Sequence, residues 1–381
     1  MKRTTEKNND LVETKSLFPR KTLMKQHIAI AISGGVDSTA AALLLQKKYR
    51  MTGFFMNVGQ PDFEQQKKRV CTLADRIGFP VEIVDLNHAF ERTIIAYVTT
   101  SYFQGRTPNP CVVCNEEIKF GLLLDTILKS GIELVATGHY ARIDQNRGET
   151  MLRRGRDNRK DQSYFLARIA REKLKRIIFP LGSMLKSEVY EFVKKSGFDC
   201  FDGKESQDIC FLKNTTITAF LEKNVGIQHN GRIETTAGQL LGSHQGLYRY
   251  TIGQRRGLGL PDRTPWYVCG LDTVNNRLIV GKEEELYRCS LSVKAVHWLS
   301  RNPPRDRDRF ELKIRYTAEA APGTIDMVQD DSFRFRFDQK QRGIAPGQFA
   351  VVYKGDRVIG SGEISCSGTQ TNDPDTPITR P

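Results

Sequence analysis

The chain has 381 residues, of which 39% are hydrophobic and 27% charged, a balance that excludes wholesale disorder. At roughly 150 residues per domain, this length predicts two or three domains rather than one small module. Lysine and arginine number 58 and aspartate and glutamate 44, so the net charge of +14 favours nucleic acid as a partner. No apolar run approaches the roughly 20 residues that a membrane-spanning helix needs, and we expect no membrane partner.

The 8 cysteines are spread through a chain that is long enough to fold without disulfides, which predicts a reducing compartment. The N-terminal residues include Glu6, Asp10 and Glu13 and contain no apolar signal region, so they do not resemble a targeting peptide. We therefore expect a cytoplasmic protein, and we expect it to be a monomer.

The N-terminal segment is polar and shows no periodicity, which predicts a disordered extension over residues 1–26. From His27 onward, short apolar strands alternate with helices, a pattern typical of a doubly wound parallel α/β sheet. We assign residues 27–212 to this domain. Its predicted strands are 28–32, 53–58, 81–86 and 134–137, and its predicted helices are 38–48, 64–77, 89–99, 115–129 and 187–196.

Short segments with frequent glycine follow the sheet domain and predict a small central domain over 213–285. Alternating strands such as 310–316 and 333–337 come next and are bounded by Pro-Gly and Pro-Pro pairs, which is typical of a small β-barrel over 286–366. Residues 367–381, rich in Thr, Asp and Pro, are expected to form a disordered tail.

The string Ser-Gly-Gly-Val-Asp-Ser at residues 33–38 stands between an apolar strand and an alanine-rich helix. Consecutive glycines let backbone N–H groups turn inward as an anion nest, and the helix N-terminus adds partial positive charge. We predict a phosphate site here. No lysine follows the glycines, so the string is not the P-loop of ATPases, and the dinucleotide spacing G-x-G-x-x-G is absent. A plain glycine turn without a ligand is the alternative.

The string Thr-Pro-Asn-Pro-Cys-Val-Val-Cys-Asn at residues 107–115 is a stiff proline loop that runs into a helix predicted to begin near Asn115. A helix start favours the thiolate of Cys114, whereas Glu116 and Glu117 oppose it. Structural zinc and thioredoxin-like redox chemistry are alternative interpretations of the Cys-x-x-Cys spacing, and each needs a context that the sequence lacks.

Cys210 lies in a polar segment, residues 205–211, that closes the first domain. Taken alone, a buried core thiol is the alternative interpretation of this cysteine.

Five basic residues crowd one predicted loop, where contact with nucleic-acid phosphates competes with a solvated hairpin as the interpretation. They are Arg153, Arg154, Arg156, Arg159 and Lys160.

The string at 33–38 resembles the pyrophosphatase-type loop, or PP-loop, of enzymes that split ATP into AMP and pyrophosphate and adenylate an oxygen. With further strings in the same order, the chain resembles the bacterial tRNA-uridine 2-sulfurtransferases, also called tRNA-specific 2-thiouridylases, over residues 27–366. The matching strings lie at 33–38, 107–115, 137–142, 160–163, 206–211, 251–259, 315–316 and 346–348.

This resemblance implies ATP-dependent 2-thiolation of the wobble uridine of tRNA. ATP, with Mg²⁺ on its phosphates, would adenylate O2 of the base, a cysteine persulfide would deliver sulfur to C2, and AMP would leave. Cys210 would carry the persulfide and Cys114 would be the nucleophile or resolving thiol, so that one turnover leaves a disulfide between them. The sulfur would come from a donor protein, a cysteine desulfurase or a relay protein, and no protein ligand for a metal is implied.

The resemblance also assigns binding residues. The ATP site would comprise Ala31, Ile32, Ser33, Gly34, Gly35, Val36, Asp37, Ser38, Met56 and Gly138. The target base would meet Asn109, Pro110 and Cys111. The tRNA would contact His139, Lys160, Asp161, Gln162, Arg315, Tyr316 and Gln348.

The chain departs from its relatives at two places. Position 111 is often an aspartate in relatives, so Cys111 replaces an acid/base group by a further thiol. The segment after Met56, residues 57–68, lacks the long acidic insertion of many relatives.

Two rival functions stand beside the resemblance. Another PP-loop enzyme, an amidotransferase or synthetase that adenylates a small carboxylate or carbonyl, explains the loop and the sheet. It leaves the basic excess, the loop thiols and the barrel unexplained. A non-catalytic RNA-binding protein on a decayed ATPase scaffold is the second rival, and the intact string at 33–38 argues against it.

Overall fold

The computed structural model describes residues 25–146, 148–198, 209–212, 215–226, 229–329 and 331–365. The predicted tail at 367–381 lies outside the described residues, as does the predicted extension apart from Lys25 and Gln26. Within the described residues the chain forms a parallel sheet with helices, a small central sheet and a closed barrel, and the predicted fold class is therefore confirmed.

In the described part of the N-terminal region the strands are β1 (His27–Ala31), β2 (Arg50–Asn57), β3 (Val81–Asp85), β4 (Val135–Ala136), β5 (Ala141–Asn146), β6 (Glu149–Arg154) and β7 (Ile177–Ile178). Five of them form a parallel sheet in the order β3-β2-β1-β4-β7. The order reverses between β1 and β4. Their carboxyl ends therefore border the crevice in which open α/β sheets bind ligands.

The helices of the described residues are α1 (Val36–Leu45), α2 (Phe63–Ile77), α3 (Asn87–Phe90), α4 (Ala96–Phe103), α5 (Pro110–Val113), α6 (Leu124–Lys129), α7 (Lys186–Lys195) and α8 (Ile217–Val225). Two π-helical segments, Glu91–Ile95 and Cys114–Leu123, join α3 to α4 and α5 to α6. Short 3₁₀ turns occupy Ser163–Leu166, Arg171–Arg176, Cys210–Leu212, Leu247–Arg249 and Glu283–Leu286.

The central strand β1 explains why the sheet domain folds as it does. Ile28, Ala29 and Ile30 have no exposed surface, because helices cover both faces of the sheet. The alanines of α1 are also fully buried, and their small side chains let the helix lie close to the sheet. The α1 N-terminus is thereby held directly after β1.

The prediction that a helix over 115–129 begins near Asn115 is wrong, because α5 begins at Pro110. Asn109 caps this helix by accepting a hydrogen bond from the backbone N–H of Val112 at 3.3 Å. A proline in the first helical turn removes no hydrogen bond from the helix, since the N–H that it lacks has no intrahelical acceptor there. Cys111 and Cys114 consequently lie within the helix and not in a loop before it.

The central domain is a four-stranded sheet in the order β10-β11-β8-β9. Its strands are β8 (Gly231–Thr235), β9 (Leu240–His244), β10 (Tyr267–Asp272) and β11 (Arg277–Gly281). The core consists of apolar residues on one face, among them Ile233, Val268 and Leu278, each at most 1% exposed.

The C-terminal barrel consists of β12 (Tyr287–Trp298), β13 (Arg309–Lys313), β14 (Ala321–Gln329), β15 (Ser332–Arg342), β16 (Phe349–Lys354) and β17 (Arg357–Ser365). These strands pair in the order β12-β15-β14-β13-β16-β17, and β12 also pairs with β17, which closes the barrel. Phe333, Phe335 and Phe337 of β15 are buried inside, while Arg334 and Arg336 between them face outward.

The prediction that five basic residues crowd one loop is wrong for Arg153 and Arg154, which lie on strand β6. The β5–β6 hairpin joins the edge of the barrel at β17. Arg153 forms an ion pair with Asp356 at 2.5 Å, and the guanidinium of Arg154 lies 3.9 Å from the ring centre of Tyr353. The two arginines therefore fasten the hairpin to the barrel.

One hydrophobic core extends from the sheet domain into the barrel. It contains Phe120, Leu124 and Tyr164 from the first and Phe349 and Tyr353 from the second, all of them buried. The hydroxyl of Tyr164 donates a hydrogen bond to the Phe349 carbonyl oxygen at 2.9 Å. Because they share apolar contacts and a buried hydrogen bond, the sheet domain and the barrel form one unit.

The barrel also holds the proline loop that leads into α5. The N–H of Thr107 donates to the Pro346 carbonyl oxygen at 2.8 Å, and Nε2 of Gln348 donates to the Thr107 carbonyl oxygen at 3.0 Å. Arg106 and Glu363 form an ion pair at 2.6 Å. The position of Cys111 and Cys114 thus depends on the barrel.

Gly347 allows this close approach, and we predict that Gly347→Ala lowers the free energy of unfolding by about 2–4 kcal/mol. Its φ of +88° disfavours any side chain, and an added Cβ would lie 2.9 Å from Cβ of Arg106 and 3.0 Å from N of Thr107. Urea unfolding followed by fluorescence measures the change.

Gly355→Ala is the matched control, because Gly355 has a φ of +61° with no atom within 4 Å of an added Cβ. This control should lose only the backbone contribution, about 1 kcal/mol. Equal losses in the two variants would show that the contact with the proline loop contributes nothing.

Candidate active site

The predicted phosphate loop forms a compact turn between β1 and α1. Gly34 has a φ of +74°, a conformation that a glycine adopts without strain. The hydroxyl of Ser38 accepts a hydrogen bond from the Ser33 N–H at 3.2 Å and donates to the Gly35 carbonyl oxygen at 3.0 Å. Gly35 occupies the N-cap position of α1 without a side-chain capping bond. The turn holds the backbone N–H groups of the helix start at the crevice of the sheet.

Gly138, which follows β4, packs directly on this loop. An added Cβ would lie 2.7 Å from the carbonyl carbon of Asp37 and 2.9 Å from N of Ser38. Only a glycine permits such an approach between two backbone segments. The structure thus brings Gly138 to the loop at residues 33–38. Met56 and Ala31, also assigned to ATP from the sequence, lie at the ends of the neighbouring strands β2 and β1.

Lys186, a residue that the sequence analysis missed, lies against the phosphate loop. Its Nζ is 2.7 Å and 2.8 Å from the two carboxylate oxygens of Asp37, and the hydroxyl of Tyr140 donates to Oδ1 of Asp37 at 2.7 Å. Lys186 is only 9% exposed. This buried ion pair fixes the side chain of Asp37, in the first turn of α1, at the place where phosphates would bind.

The thiols of Cys111, Cys114 and Cys210 meet in one region. Cys111 and Cys114 are three residues apart on one helical segment, so they lie on the same face. Cys210 comes from a separate turn, yet it acts electrostatically on both of them. The structure therefore brings together the two thiols that the resemblance pairs.

Aromatic contacts position the turn that carries Cys210. The ring of Phe211 lies 6.1 Å from that of Phe90 in an edge-on arrangement and 4.9 Å from that of Phe220, measured between centroids. Such contacts anchor a short segment that has little other regular structure. Cys210 itself is exposed to solvent, and the expectation of a buried core thiol does not hold.

The protein surrounding these sulfurs keeps them protonated. Burial raises the pKa of Cys114 to about 12, although the nearby ammonium of Lys119 lowers it. Burial also raises the pKa values of Cys111 and Cys210, again against the effect of Lys119. Cys111 and Cys210 are nevertheless exposed to solvent, whereas Cys114 is half-buried.

Glu116, which the sequence suggests as an opponent of the thiolate, is already paired. Its carboxylate lies 2.5 Å from Nε of Arg168, which in turn donates through an Nη to the Ala295 carbonyl oxygen at 2.8 Å. The guanidinium balances the negative charge of Glu116. The sequence did not indicate this ion pair, because Arg168 lies 52 residues after Glu116 in the chain.

His139 is half-buried beside Lys119 and does not lie on an open surface. Its ring packs between Phe120 and Phe179, with centroids 5.8 Å away in each case. Nδ1 lies 2.7 Å from the Thr137 hydroxyl, and Nε2 lies 3.5 Å from Nζ of Lys119. Burial and Lys119 lower the pKa of His139 well below its usual value, so the imidazole is neutral at physiological pH.

Asp161 and Gln162, assigned to tRNA contact from the sequence, make bonds within the protein. The carboxylate of Asp161 is 4% exposed and accepts hydrogen bonds from the N–H groups of Gly155 and Ser163, both at 3.0 Å. Oε1 of Gln162 accepts from the Tyr140 N–H at 3.0 Å. Both residues hold the turn that follows the β5–β6 hairpin.

Two further residues assigned to tRNA lie where the barrel meets the sheet domain. The ring of Tyr316 lies 4.4 Å from that of Phe165, between centroids, and Arg315 donates to the Gly343 carbonyl oxygen at 3.4 Å. Gln348 lies on the same side of the barrel, bonded to the proline loop. The structure thus brings these residues and α5 to one side of the molecule.

A search of the described residues finds no three His, Cys, Asp or Glu side chains arranged to hold a metal ion. Among the same residues, no helix is long and apolar enough to cross a membrane.

The parallel sheet and its loop at residues 33–38 define a PP-loop protein. Comparison with family models agrees: residues 26–214 match a tRNA methyl transferase HUP domain, residues 218–282 a tRNA methyl transferase PRC-barrel domain and residues 288–364 an aminomethyltransferase β-barrel domain.

Curated relatives identify the family. A tRNA-specific 2-thiouridylase MnmA from Desulfotalea psychrophila is 44% identical over 343 residues, which is 90% of this chain and 100% of the relative. The enzyme of the same name from Acidithiobacillus ferrooxidans is 40% identical, covering 88% of this chain and 97% of its own, and that from Syntrophotalea carbinolica is 38% identical, covering 89% and 99%. The chain belongs to the tRNA-specific 2-thiouridylase family, which confirms the resemblance.

The high pKa of Cys114 generates a prediction for its reactivity. We expect the rate of alkylation by iodoacetamide to rise about tenfold for each pH unit between about pH 7 and pH 9, because the thiolate fraction increases by that factor far below the pKa. Mass spectrometry of the peptide carrying Cys114 measures the rate. A free thiol with a pKa of about 8.5, treated in parallel, should approach a plateau, and a plateau at Cys114 below pH 9 would contradict the raised pKa.

Proposed function

We propose that the protein is a tRNA-uridine 2-sulfurtransferase that uses ATP to replace O2 of the wobble uridine by sulfur. The observation that carries this proposal is the convergence of Cys114 and Cys210 from two segments of the chain. Lys119, whose charge acts on both thiols, has its Nζ 3.5 Å from Nε2 of His139, and the adjacent Gly138 packs on the phosphate loop. These contacts support neighbouring nucleotide and sulfur sites, as a reaction that couples them requires.

The first step makes O2 of the uridine a leaving group. A carbonyl oxygen leaves poorly until it is phosphorylated, so O2 attacks the α-phosphorus of ATP and pyrophosphate departs. The backbone N–H groups at residues 33–38 and the helix dipole of α1 support phosphate binding there. Mg²⁺ would be held by the ATP phosphates.

The second step transfers sulfur. The terminal sulfur of a persulfide on Cys210 attacks C2 of the adenylated base, and AMP leaves with the former O2. The Cys114 thiolate then attacks the Cys210 sulfur, the S–S bond breaks, and its electron pair stays on the sulfur attached to C2. The products are 2-thiouridine and a Cys114–Cys210 disulfide, so the two thiols supply the reducing electrons. A thiol reductant must reopen the disulfide.

The start of α5 supports a site for the target base. Asn109, Pro110 and Cys111 form the first helical turn, adjacent to Cys114 in the chain. A uridine stacked in the anticodon loop is out of reach of such a site, so we propose that the base is flipped out of its stack.

For the rest of the tRNA, we propose contacts through Lys160, Arg315, Tyr316 and Gln348, with Asp161 and Gln162 shaping the turn beside them. His139 would meet the nucleotide that enters the cleft. The net charge of +14 supports binding to a polyanion. The sulfur donor is a separate persulfide-bearing protein, either a desulfurase or a relay protein. We propose that the enzyme acts as a monomer in the reducing cytoplasm, where thiol reductants are available.

We predict that Cys114→Ser and Cys210→Ser each abolish the formation of 2-thiouridine, because a hydroxyl neither carries sulfane sulfur nor breaks an S–S bond. Nucleoside mass spectrometry after incubation with tRNA, Mg-ATP and a persulfide donor measures the product. ATP binding should be unchanged in both variants, since the thiols do not contribute to the phosphate loop.

Cys269→Ser is the matched control, because Cys269 is half-buried in the central domain and should be dispensable. Full activity in either active-site variant would disprove the assignment. AMP release distinguishes the proposed function from the amidotransferase alternative, because the proposed enzyme should release AMP only when tRNA is present. Release driven by a free amino acid instead would favour that alternative.

Gly138→Ala should weaken ATP binding by at least about tenfold, because the added methyl group must displace the backbone of the phosphate loop. Isothermal titration calorimetry measures the dissociation constant. Gly270→Ala is the control, since a Cβ there meets its nearest atom, Cβ of Ile279, at an ordinary 3.5 Å. Unchanged ATP affinity in Gly138→Ala would remove the loop from the nucleotide site.

A further inference from the structure

The π-helical segment Cys114–Leu123 determines the face of the helix on which Lys119 lies. In an α-helix, five residues turn the chain by about 500°, so residue 119 would lie roughly 140° around the helix from residue 114. In a π-helix the backbone hydrogen bonds join residues i and i+5, so residue 119 lies about one turn along the helix from residue 114 and much closer to its face. The irregular helix is thus what brings a cation to the face that carries Cys114.

Contacts with neighbouring residues hold the ammonium group at this position. Nζ of Lys119 lies 3.5 Å from Nε2 of His139. Because an ammonium only donates, Nε2 is the acceptor, and the proton of the imidazole is on Nδ1, directed at the Thr137 hydroxyl 2.7 Å away. Thr137, His139 and Lys119 form a chain of polar contacts that holds the ammonium group in place.

Of the other titratable groups described in this region, neither His139 nor Glu116 offsets the charge of Lys119. His139 is neutral, and Glu116 is paired with Arg168. Lys119 is the cation that acts on Cys111, Cys114 and Cys210 alike, and each thiolate is favoured by it. A single positive charge therefore affects three sulfurs, and Cys114, which is less exposed than the other two, is the one least shielded from it by solvent.

We propose that the ammonium of Lys119 stabilises the thiolate of Cys114 and the persulfide anion on Cys210 during sulfur transfer. Cys114 gives its proton to solvent, and its electron pair forms the new S–S bond with Cys210. Lys119 keeps its own proton throughout and is neither oxidised nor reduced. Its role in turnover rests on the proposed function, whereas its effect on the thiols is a property of the protein without substrates.

The test measures thiol reactivity in the full-length protein without ATP or tRNA. Alkylation by iodoacetamide at pH 8 is followed at each cysteine by mass spectrometry in the wild type and in Lys119→Met, Lys119→Gln and Lys119→Arg. The readout is the ratio of the rate at Cys114 to the rate at Cys269. Cys269 is a suitable reference because it is half-buried like Cys114 and does not interact with Lys119.

We expect the ratio to fall about three- to tenfold in Lys119→Met and Lys119→Gln, and Lys119→Arg should restore most of it because the charge is kept. Lys129→Met, at the exposed end of α6, should leave the ratio unchanged. An unchanged ratio in both neutral variants overturns the proposal, and so does an equal fall in Lys119→Arg, which would indicate packing rather than charge.

Turnover separates this inference from the proposed function. If the wild type forms 2-thiouridine and the alkylation ratio is unaffected by Lys119→Met, only the role of Lys119 fails. If the wild type forms none while the ratio falls as expected, the proposed function fails and the electrostatic effect of Lys119 stands.

Discussion

The site depends on the hydrophobic core that the sheet domain shares with the barrel. Tyr164 and Phe349 belong to different domains, yet they are joined in one core by apolar contact and a buried hydrogen bond. That core fixes the edge of the barrel, and residues 346–348 in turn hold the proline loop in front of α5. The thiols at the start of this helix, Cys111 and Cys114, are consequently positioned by contacts with a domain to which they do not belong. In such a rigid scaffold, the proline loop and α5 lose their conformational entropy during folding and not during the reaction.

Two charged clusters organise the crevice of the sheet. Lys186 with Asp37 lies at the phosphate loop, and Lys119, whose charge acts on the thiols, lies beside His139. The adjacent residues Gly138 and His139 join the clusters, because one packs on the loop and the other faces Lys119. The proposed reaction, which couples a nucleotide to a sulfur, needs such proximity. Burial raises the pKa of Cys114, which lowers the reactivity of this thiol in the absence of substrate.

The agreement between sequence and structure is closest where local pattern decides. The alternation of strands and helices predicted the parallel sheet, since buried apolar runs such as 28–32 have few other conformations. Prediction from local pattern failed where contacts with residues distant in the chain determine the structure. Arg153 and Arg154 read as a basic loop, but the strand β17 that pairs with their hairpin comes much later in the chain. The helix start near Asn115 was misplaced because the proline string resembles a loop, whereas Asn109 caps a helix that Pro110 begins.

The sequence by itself determined the fold class, the family and the candidate motifs. Each of these depends on short stretches of sequence whose backbone conformation is set by neighbouring residues. Tertiary structure alone decided which side chains act together. Glycine at position 138 matters because another loop passes within contact distance, and the face of the helix on which Lys119 lies depends on its i to i+5 hydrogen bonds. The sequence likewise did not show that Asp161, which the resemblance assigns to tRNA contact, is buried and accepts hydrogen bonds within the protein. Charge, proximity and solvent access are properties of the folded arrangement, and a linear string does not contain them.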